Sequence, residues 1–155
     1  MGKEEDDDLT TGVAAQRPDL VSKALARGAD SNAKLGSVLA LHIAALNGDS
    51  TIVDLLLAAG ADVNGRGDCA DAPLHFACAG AGPNCERIVR TLIEAGADVN
   101  APGIDGRLPL DMAALKRHKA AVLLLAEAGG RCAAENRSWV EQVGKKRRQS
   151  RGRGH

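Results

Sequence analysis

Aromatic side chains are almost missing from this 155-residue chain: one Phe, one Trp and no Tyr, 1% in all. Hydrophobic residues still make up 45%, so the core must be Leu, Val, Ile and Ala. Such a core suits small interlocking helices better than a deep, ring-lined ligand pocket. No apolar run reaches membrane-spanning length, and the acidic N-terminus is unlike a secretory signal. Without a secretion route, the glycosylation triplet Asn136-Arg137-Ser138 reads as chance. Cysteine is sparse, and Cys69, Cys78, Cys85 and Cys132 form no Cys-x-x-Cys pair. Reduced thiols in a cytoplasmic or nuclear protein are expected rather than a disulfide framework. Net charge is also absent, but only because charge is segregated along the chain. Residues 3–8 sum to −4, and residues 145–155 carry +6 from Lys145, Lys146, Arg147, Arg148, Arg151 and Arg153.

What is present is repetition. Residues 51–64 end in Gly-Ala-Asp-Val-Asn, residues 96–100 repeat that ending, and Gly28-Ala29-Asp30-Ser31-Asn32 anticipates it. A worn fourth copy closes at Gly129. The glycines fall at 28, 60, 96 and 129, in steps of 32, 36 and 33 residues. A period of this size signals a solenoid. Counting back from each glycine superposes Leu20, Ile52, Ile88 and Ala121; then Val21, Val53, Val89 and Val122; then Ala24, Leu56, Leu92 and Leu125; then Leu25, Leu57, Ile93 and Ala126. Spacing i, i+1, i+4, i+5 places these on one helical face. Glycine then ends the helix, because a left-handed residue costs it almost nothing.

A second helix precedes each of these. It opens at Leu41-His42, at Leu74-His75 and at Leu110-Asp111, with Pro73 and Pro109 in the first turn, where a missing amide proton is no loss. Short breaks separate the paired helices, and the break at residues 80–84 is three residues longer than its counterpart in copy two. That extra length predicts a protruding turn. Together the Pro-Leu-His and Gly-Ala-Asp-Val-Asn motifs, four times in register, resemble the ankyrin repeat. The resemblance covers roughly residues 9–131 and implies an all-α solenoid of stacked helix-turn-helix units with loop or β-turn fingers. The copies span about 9–32, 33–64, 65–100 and 101–131. The length and Gly106-Arg107-Leu108-Pro109-Leu110-Asp111 also resemble four-repeat cyclin-dependent kinase inhibitors, through a motif common among ankyrin proteins.

Departures from the pattern are informative. The motif threonine is replaced by Leu39, Ala72 and Leu108, so no copy keeps the capping hydroxyl, a loss worth about 1 kcal/mol each. Copy one has Leu9-Thr10-Thr11-Gly12 at its helix start, which suits a terminal cap. In copy four, Leu123 and Leu124 stand where earlier copies are mostly polar. Leaving both in water forgoes roughly 1.5–3 kcal/mol apiece. A capping helix at residues 132–143, packing through Trp139 and Val143, is therefore expected. Residues 1–8 read as a disordered acidic leader, and residues 144–155 as a disordered basic tail.

Side chains with possible chemistry have plainer readings. His42 and His75 are motif histidines, which in the resembled family hydrogen-bond the neighbouring loop; no metal is expected. His118 falls in an inter-helix turn. Cys78 replaces a core alanine, while Cys85 in the long turn and Cys69 at a loop tip are expected to be more exposed. Asp68, Asp71 and Asp105 lack calcium-loop spacing, and Gly80-Ala81-Gly82 lacks the Lys-Ser/Thr of a phosphate loop. No nucleophile–base arrangement is evident, so neither an enzyme nor a cofactor is expected.

What the resemblance implies is a monomeric adaptor or inhibitor that binds a protein partner through its fingers and concave inner helices, in the cytoplasm or nucleus. By family alignment the contact positions are Arg66, Asp68, Cys69 and Asp71 in one finger and Ile104, Asp105 and Arg107 in the next. Leu46, Asn47, Leu115 and Lys116 lie on the first helices. The alternative is a nuclear or nucleic-acid-associated factor using the basic tail at Lys145, Lys146, Arg147 and Arg148. Ser150 follows two arginines, as in a basophilic kinase site. Arg151-Gly-Arg153-Gly resembles a minimal Arg-Gly tract, without an aromatic to stack on bases.

Overall fold

Helix pairs succeed one another along the chain in the computed structural model, which describes residues 2–152. The pairs are α1 (Lys3–Ala14) with α2 (Pro18–Ala26), α3 (Ala40–Asn47) with α4 (Ser50–Ala58), α5 (Pro73–Ala79) with α6 (Cys85–Glu94), and α7 (Pro109–Leu115) with α8 (Lys119–Glu127). A single longer helix, α9 (Ala134–Gly152), follows. First helices stack α1 on α3 on α5 on α7, second helices α2 on α4 on α6 on α8, and α9 lies across α7 and α8. The result is an all-α solenoid with one continuous core, each layer burying its face only against its neighbours.

The aligned apolar positions build that core. Val21, Val53, Val89 and Val122 are fully buried, as are Leu56, Leu92 and Leu125, with Ala24 nearly so. Ile52, Ile88 and Ala121 are buried too, while Leu20, at the open end of the stack, is half-buried. The fourth aligned position lies at the flank of the face: Leu25, Leu57 and Ile93 are half-buried and Ala126 is exposed. Gly28, Gly60, Gly96 and Gly129 end the second helices at φ of 98, 90, 95 and 87°. After each of them the next N–H reaches back to a core residue's carbonyl: Ala29 to Ala24, Ala61 to Leu56, Ala97 to Leu92 and Gly130 to Leu125, at 2.7–3.0 Å. This is the Schellman closure that a left-handed residue permits.

The repeated Asp-x-Asn ending has a structural purpose that motif counting does not reveal. Asp30, Asp62 and Asp98 each accept the N–H of the Asn two residues on, at 2.8–2.9 Å. The Asn side chains then cross to the next layer. Asn32 Oδ1 accepts from Asp62 N, Asn64 Oδ1 from Asp98 N and Asn100 Oδ1 from Arg131 N, each at 2.8 Å. Asn64 and Asn100 also donate to Gly96 O and Gly129 O at 3.1 Å. A ladder of side-chain-to-backbone bonds thus ties successive loops where no sheet is present.

Both chain ends differ from expectation. Residues 3–8 are not a disordered leader; they form the first turns of α1. Leu9 and Val13 bury that helix against the stack, Asp8 pairs with Arg27 at 3.2 Å, and Asp6 Oδ1 accepts Asp30 N at 2.6 Å. Asp6 thereby supplies the ladder step that Asn supplies elsewhere, and acidic side chains are favourable at a helix N-terminus. At the other end, α9 continues past residue 143 to Gly152, so the described part of the tail is helical. Val143 is buried, Trp139 and Val140 pack on the core beside half-buried Leu124, and Arg147 pairs with Glu127 of α8. Arg153, of the Arg-Gly tract, lies outside the described residues. No described helix is long and apolar enough to cross a membrane.

The long break in copy three does not protrude. It folds back on the copy-two turn: Asn84 Nδ2 donates to Gly48 O at 2.9 Å. A Cβ on Gly82 would sit 3.0 Å from Gly48 Cα, so the two backbones touch at paired glycines. His118 Nε2 reaches Gly80 O at 2.9 Å and fixes the turn from the other side. Cys85 is accordingly buried rather than exposed, its thiol donating to Ala77 O at 3.2 Å.

Candidate binding surface

The fingers are the loops that lead into α3, α5 and α7. The first is a two-residue hairpin, Lys34–Leu35 antiparallel to Val38–Leu39, turning at Gly36 with φ 63°. The third carries a short 3-10 turn at Ile104–Gly106, with Asp105 held left-handed at φ 55°. Each finger is anchored from below by the residue three positions into the following helix. His42 Nδ1 accepts Leu39 N–H at 3.0 Å, and its Nε2–H donates to Asp71 O at 3.0 Å. His75 accepts Ala72 N–H at 3.1 Å and donates to Arg107 O at 3.0 Å. Each histidine supplies one half of a capping pair by accepting the N–H of the residue before the helix, while the hydroxyl half is missing. Each also ties its own copy to the next finger. Gly103 is small for the same reason: a Cβ there would fall 2.8 Å from His75 Nε2 and 2.1 Å from Asp71 Oδ1.

In copy four the same position is Asp111, buried and acceptor-only. It takes Leu108 N–H at 3.4 Å, Ala133 N–H at 2.8 Å and Asn136 Nδ2 at 2.7 Å. The departure from histidine therefore binds the start of α9 instead of a further finger. Nothing in the local spacing points to that role, because the partners lie 22 and 25 residues downstream.

Burial holds His42 below the ordinary imidazole range, outweighing the bond to Asp71 O that favours the charged ring, and the Leu39 N–H accepted at Nδ1 needs the neutral one. The unfolded chain therefore binds a proton near pH 6.5 that the folded chain refuses. This stability is fully present above the unfolded value and is lost as pH falls below it toward the depressed folded value. Urea midpoints are expected to drop between about pH 6.5 and pH 5, with a shallower slope in His42→Gln. A wild-type midpoint that holds constant across that interval would contradict the assignment.

No catalytic arrangement emerges from these groups. Cys69 Sγ lies 3.9 Å from His42 Nε2, but that nitrogen carries the proton given to Asp71 O and cannot receive one from the thiol. Cys69 instead donates to Arg66 O at 2.8 Å. Burial pushes the Cys78 and Cys85 thiols upward, away from reactive thiolate. All four cysteines are free thiols. Among the described residues no three His, Cys, Asp or Glu side chains converge as metal ligands would.

The expected contact residues divide into two groups. Arg66, Asp68 and Asp71 bond neighbouring fingers. Arg66 donates to Ala70 O and to Pro102 O, the latter at 2.7 Å. Asp68 pairs with Lys34 at 2.8 Å, and Asp71 Oδ1 accepts Ile104 N–H at 2.7 Å. These three stiffen the fingers. By contrast Leu46, Ile104 and Leu115, exposed by 38, 54 and 56%, are the large hydrophobics left in water among the described residues. Leu46 and Leu115 occupy one register, five residues after the motif leucines Leu41 and Leu110, with Ala79 between them on α5. Half-buried Asn47 and exposed Lys116 follow in the next position, and Asp105 and Arg107 are exposed beside Ile104. The basic residues Lys145, Lys146, Arg147 and Arg148 lie apart from this surface, on α9. Arg117, itself left-handed at φ 58°, stacks 4.9 Å over Trp139 at the same end.

Compared with known families, the chain matches the family model for ankyrin repeats (three copies) over residues 11–102 and 41–136.

Proposed function

This chain belongs to the ankyrin-repeat family, whose members are generally non-catalytic protein–protein interaction modules, and from that premise we propose that it is an adaptor or inhibitor. Its partner lies across the finger tips and the first helices. The observation that carries this reading is the placement of the exposed large hydrophobics. Leu46 and Leu115 mark one line across the stack, and Ile104 stands at a finger tip. Single exposed apolar side chains are ordinary on a protein surface; what supports the reading is that Leu46 and Leu115 share one register of the first helices and Ile104 tips a finger. The frame beneath them is rigid, because finger-to-finger bonds from Arg66, Asp68 and Asp71 and the two buried histidines leave little to order on binding.

The test is affinity capture from extract, followed by titration of the purified partner. Leu46→Asp/Leu115→Asp and, separately, Ile104→Asp are compared with wild type after circular dichroism confirms the fold. Affinity is expected to fall at least about tenfold in each. Charge reversal at Arg66 is a poorer probe, since that side chain also holds the neighbouring finger. Unchanged affinity in both variants would remove this surface from the proposal.

A further inference from the structure

The two ends of the stack carry opposite charge and cannot neutralise one another within a molecule. α1 contacts the α2 and α3 layers, and α9 contacts the α7 and α8 layers. Successive helices pack at about 8–10 Å, so the charged ends stand several Debye lengths apart at roughly 8–10 Å each in physiological salt. At the acidic end, Glu4 and Asp7 are exposed and make no ion pair among the described residues. At the basic end, Lys145, Lys146, Arg148 and Arg151 are exposed on α9 and likewise unpaired among the described residues. There a groove of about 420 Å³ runs between α8 and α9, floored by Leu123, Trp139 and Val143 and rimmed by Lys119 and Lys146. A second hollow, bordered by Arg148, Arg151 and the Arg147–Glu127 pair, shares Leu123 with it.

We propose that the basic α8–α9 face of one copy receives the acidic first turns of α1 from a second copy, so that the chain associates head to tail. Charge complementarity selects this occupant. The helix start presents a dense cluster of carboxylates on a rigid element, two of them, Glu4 and Asp7, free of ion pairs among the described residues, and the receiving face offers four cations likewise unpaired beside an apolar floor. Like ends repel, so tail-to-tail and head-to-head pairs are disfavoured. The two patches are different surfaces, which makes the contact heterologous, and each added copy leaves one acidic and one basic end open. Short linear arrays follow, in place of the monomer that the family resemblance implies. Solvent-exposed ion pairs dominate the contact, so it is weak and sensitive to salt.

Sedimentation velocity of the full chain tests this over a concentration series at about 20 mM and about 500 mM salt, where the Debye length falls several-fold. In low salt the weight-average sedimentation coefficient should climb with concentration, and in high salt it should stay at the monomer value. Glu4→Lys/Asp7→Lys and Lys146→Glu/Arg148→Glu should each be monomeric in low salt while keeping a wild-type circular dichroism spectrum. Mixing the two variants, or combining all four substitutions in one chain, should restore association. A wild type that stays monomeric at every concentration in low salt overturns the proposal. So does association that survives in either single-end variant. If the wild type stays monomeric yet retains a labelled single-stranded oligonucleotide, and Lys146→Glu/Arg148→Glu does not, the face belongs to nucleic acid and the proposal is likewise overturned.

Discussion

Replacing Asp111 with alanine is expected to release α9 from the stack and to cost roughly 3 kcal/mol. A buried carboxylate that accepts three hydrogen bonds is removed, and the Ala133 amide and Asn136 side chain lose their acceptor. Asp111 is only 6% exposed, so water does not simply take the place of its carboxylate. The readout is built into the sequence, because Trp139 is the single tryptophan and lies on the freed helix under Arg117. In the variant its emission should shift to the red before any denaturant is added. Its urea transition should then precede the loss of helical circular dichroism, whereas the two coincide in wild type. Asp111→His is the informative companion. It restores the motif residue and accepts the Leu108 amide through Nδ1. Its other nitrogen is then a donor and cannot take the Ala133 and Asn136 protons. That variant should keep α7 capped and still shed α9. An Asp111→Ala protein with native tryptophan emission and an unchanged midpoint would show that α9 is held by its apolar contacts alone.

His75→Ala is expected to cost about as much, roughly 3 kcal/mol, by a different route. The ring is buried, its Nδ1 satisfies the Ala72 amide, and its Nε2–H satisfies the Arg107 carbonyl of the next finger. Truncation leaves one donor and one acceptor unpaired and opens a void against Gly103. Because a repeat stack is held by nearest-neighbour interfaces, a loss at the joint between copies three and four should also divide the unfolding. Urea titration is expected to show the fourth layer and α9 melting ahead of the first three, with a lowered apparent slope. His75→Gln should recover part of the loss, since an amide carries both a donor and an acceptor but not at the imidazole's spacing. A single steep transition at the wild-type midpoint in His75→Ala would refute the coupling described here.

The contrast between these two positions shows how far sequence reasoning reached. His42 and His75 were legible because they recur in register with a leucine before them and a finger after them. Asp111 stood out as an exception, but its partners belong to a helix more than twenty residues further on, and no local pattern announces them. The long turn of copy three reads as a protrusion when only its length is considered. Its glycines allow the backbone at Gly82 to lie against Gly48, which folds the turn back onto the stack and buries Cys85, while Ala81 and Pro83 stay exposed. Among the proposed contact residues, exposure separates Leu46, Ile104 and Leu115 from Arg66, Asp68 and Asp71. All six look alike as variable loop and helix positions in the chain.

The period of the glycines, the i, i+1, i+4, i+5 faces and the leucine-histidine starts determined the repeat, its helix pairs and most of its core. These signals are local, and each copy states them again. Tertiary structure alone decided what happens at the ends. Charged runs at residues 3–8 and 144–152 have no apolar face of their own and read as disordered. They become helix because Leu9, Val13 and Val143 anchor the same helices to the stack, while Asp6 and Asp8 find partners just after α2 and Arg147 finds one on α8. Helix formation in such segments is stabilised by docking rather than by intrinsic preference, and a docking site is a property of the assembled neighbours.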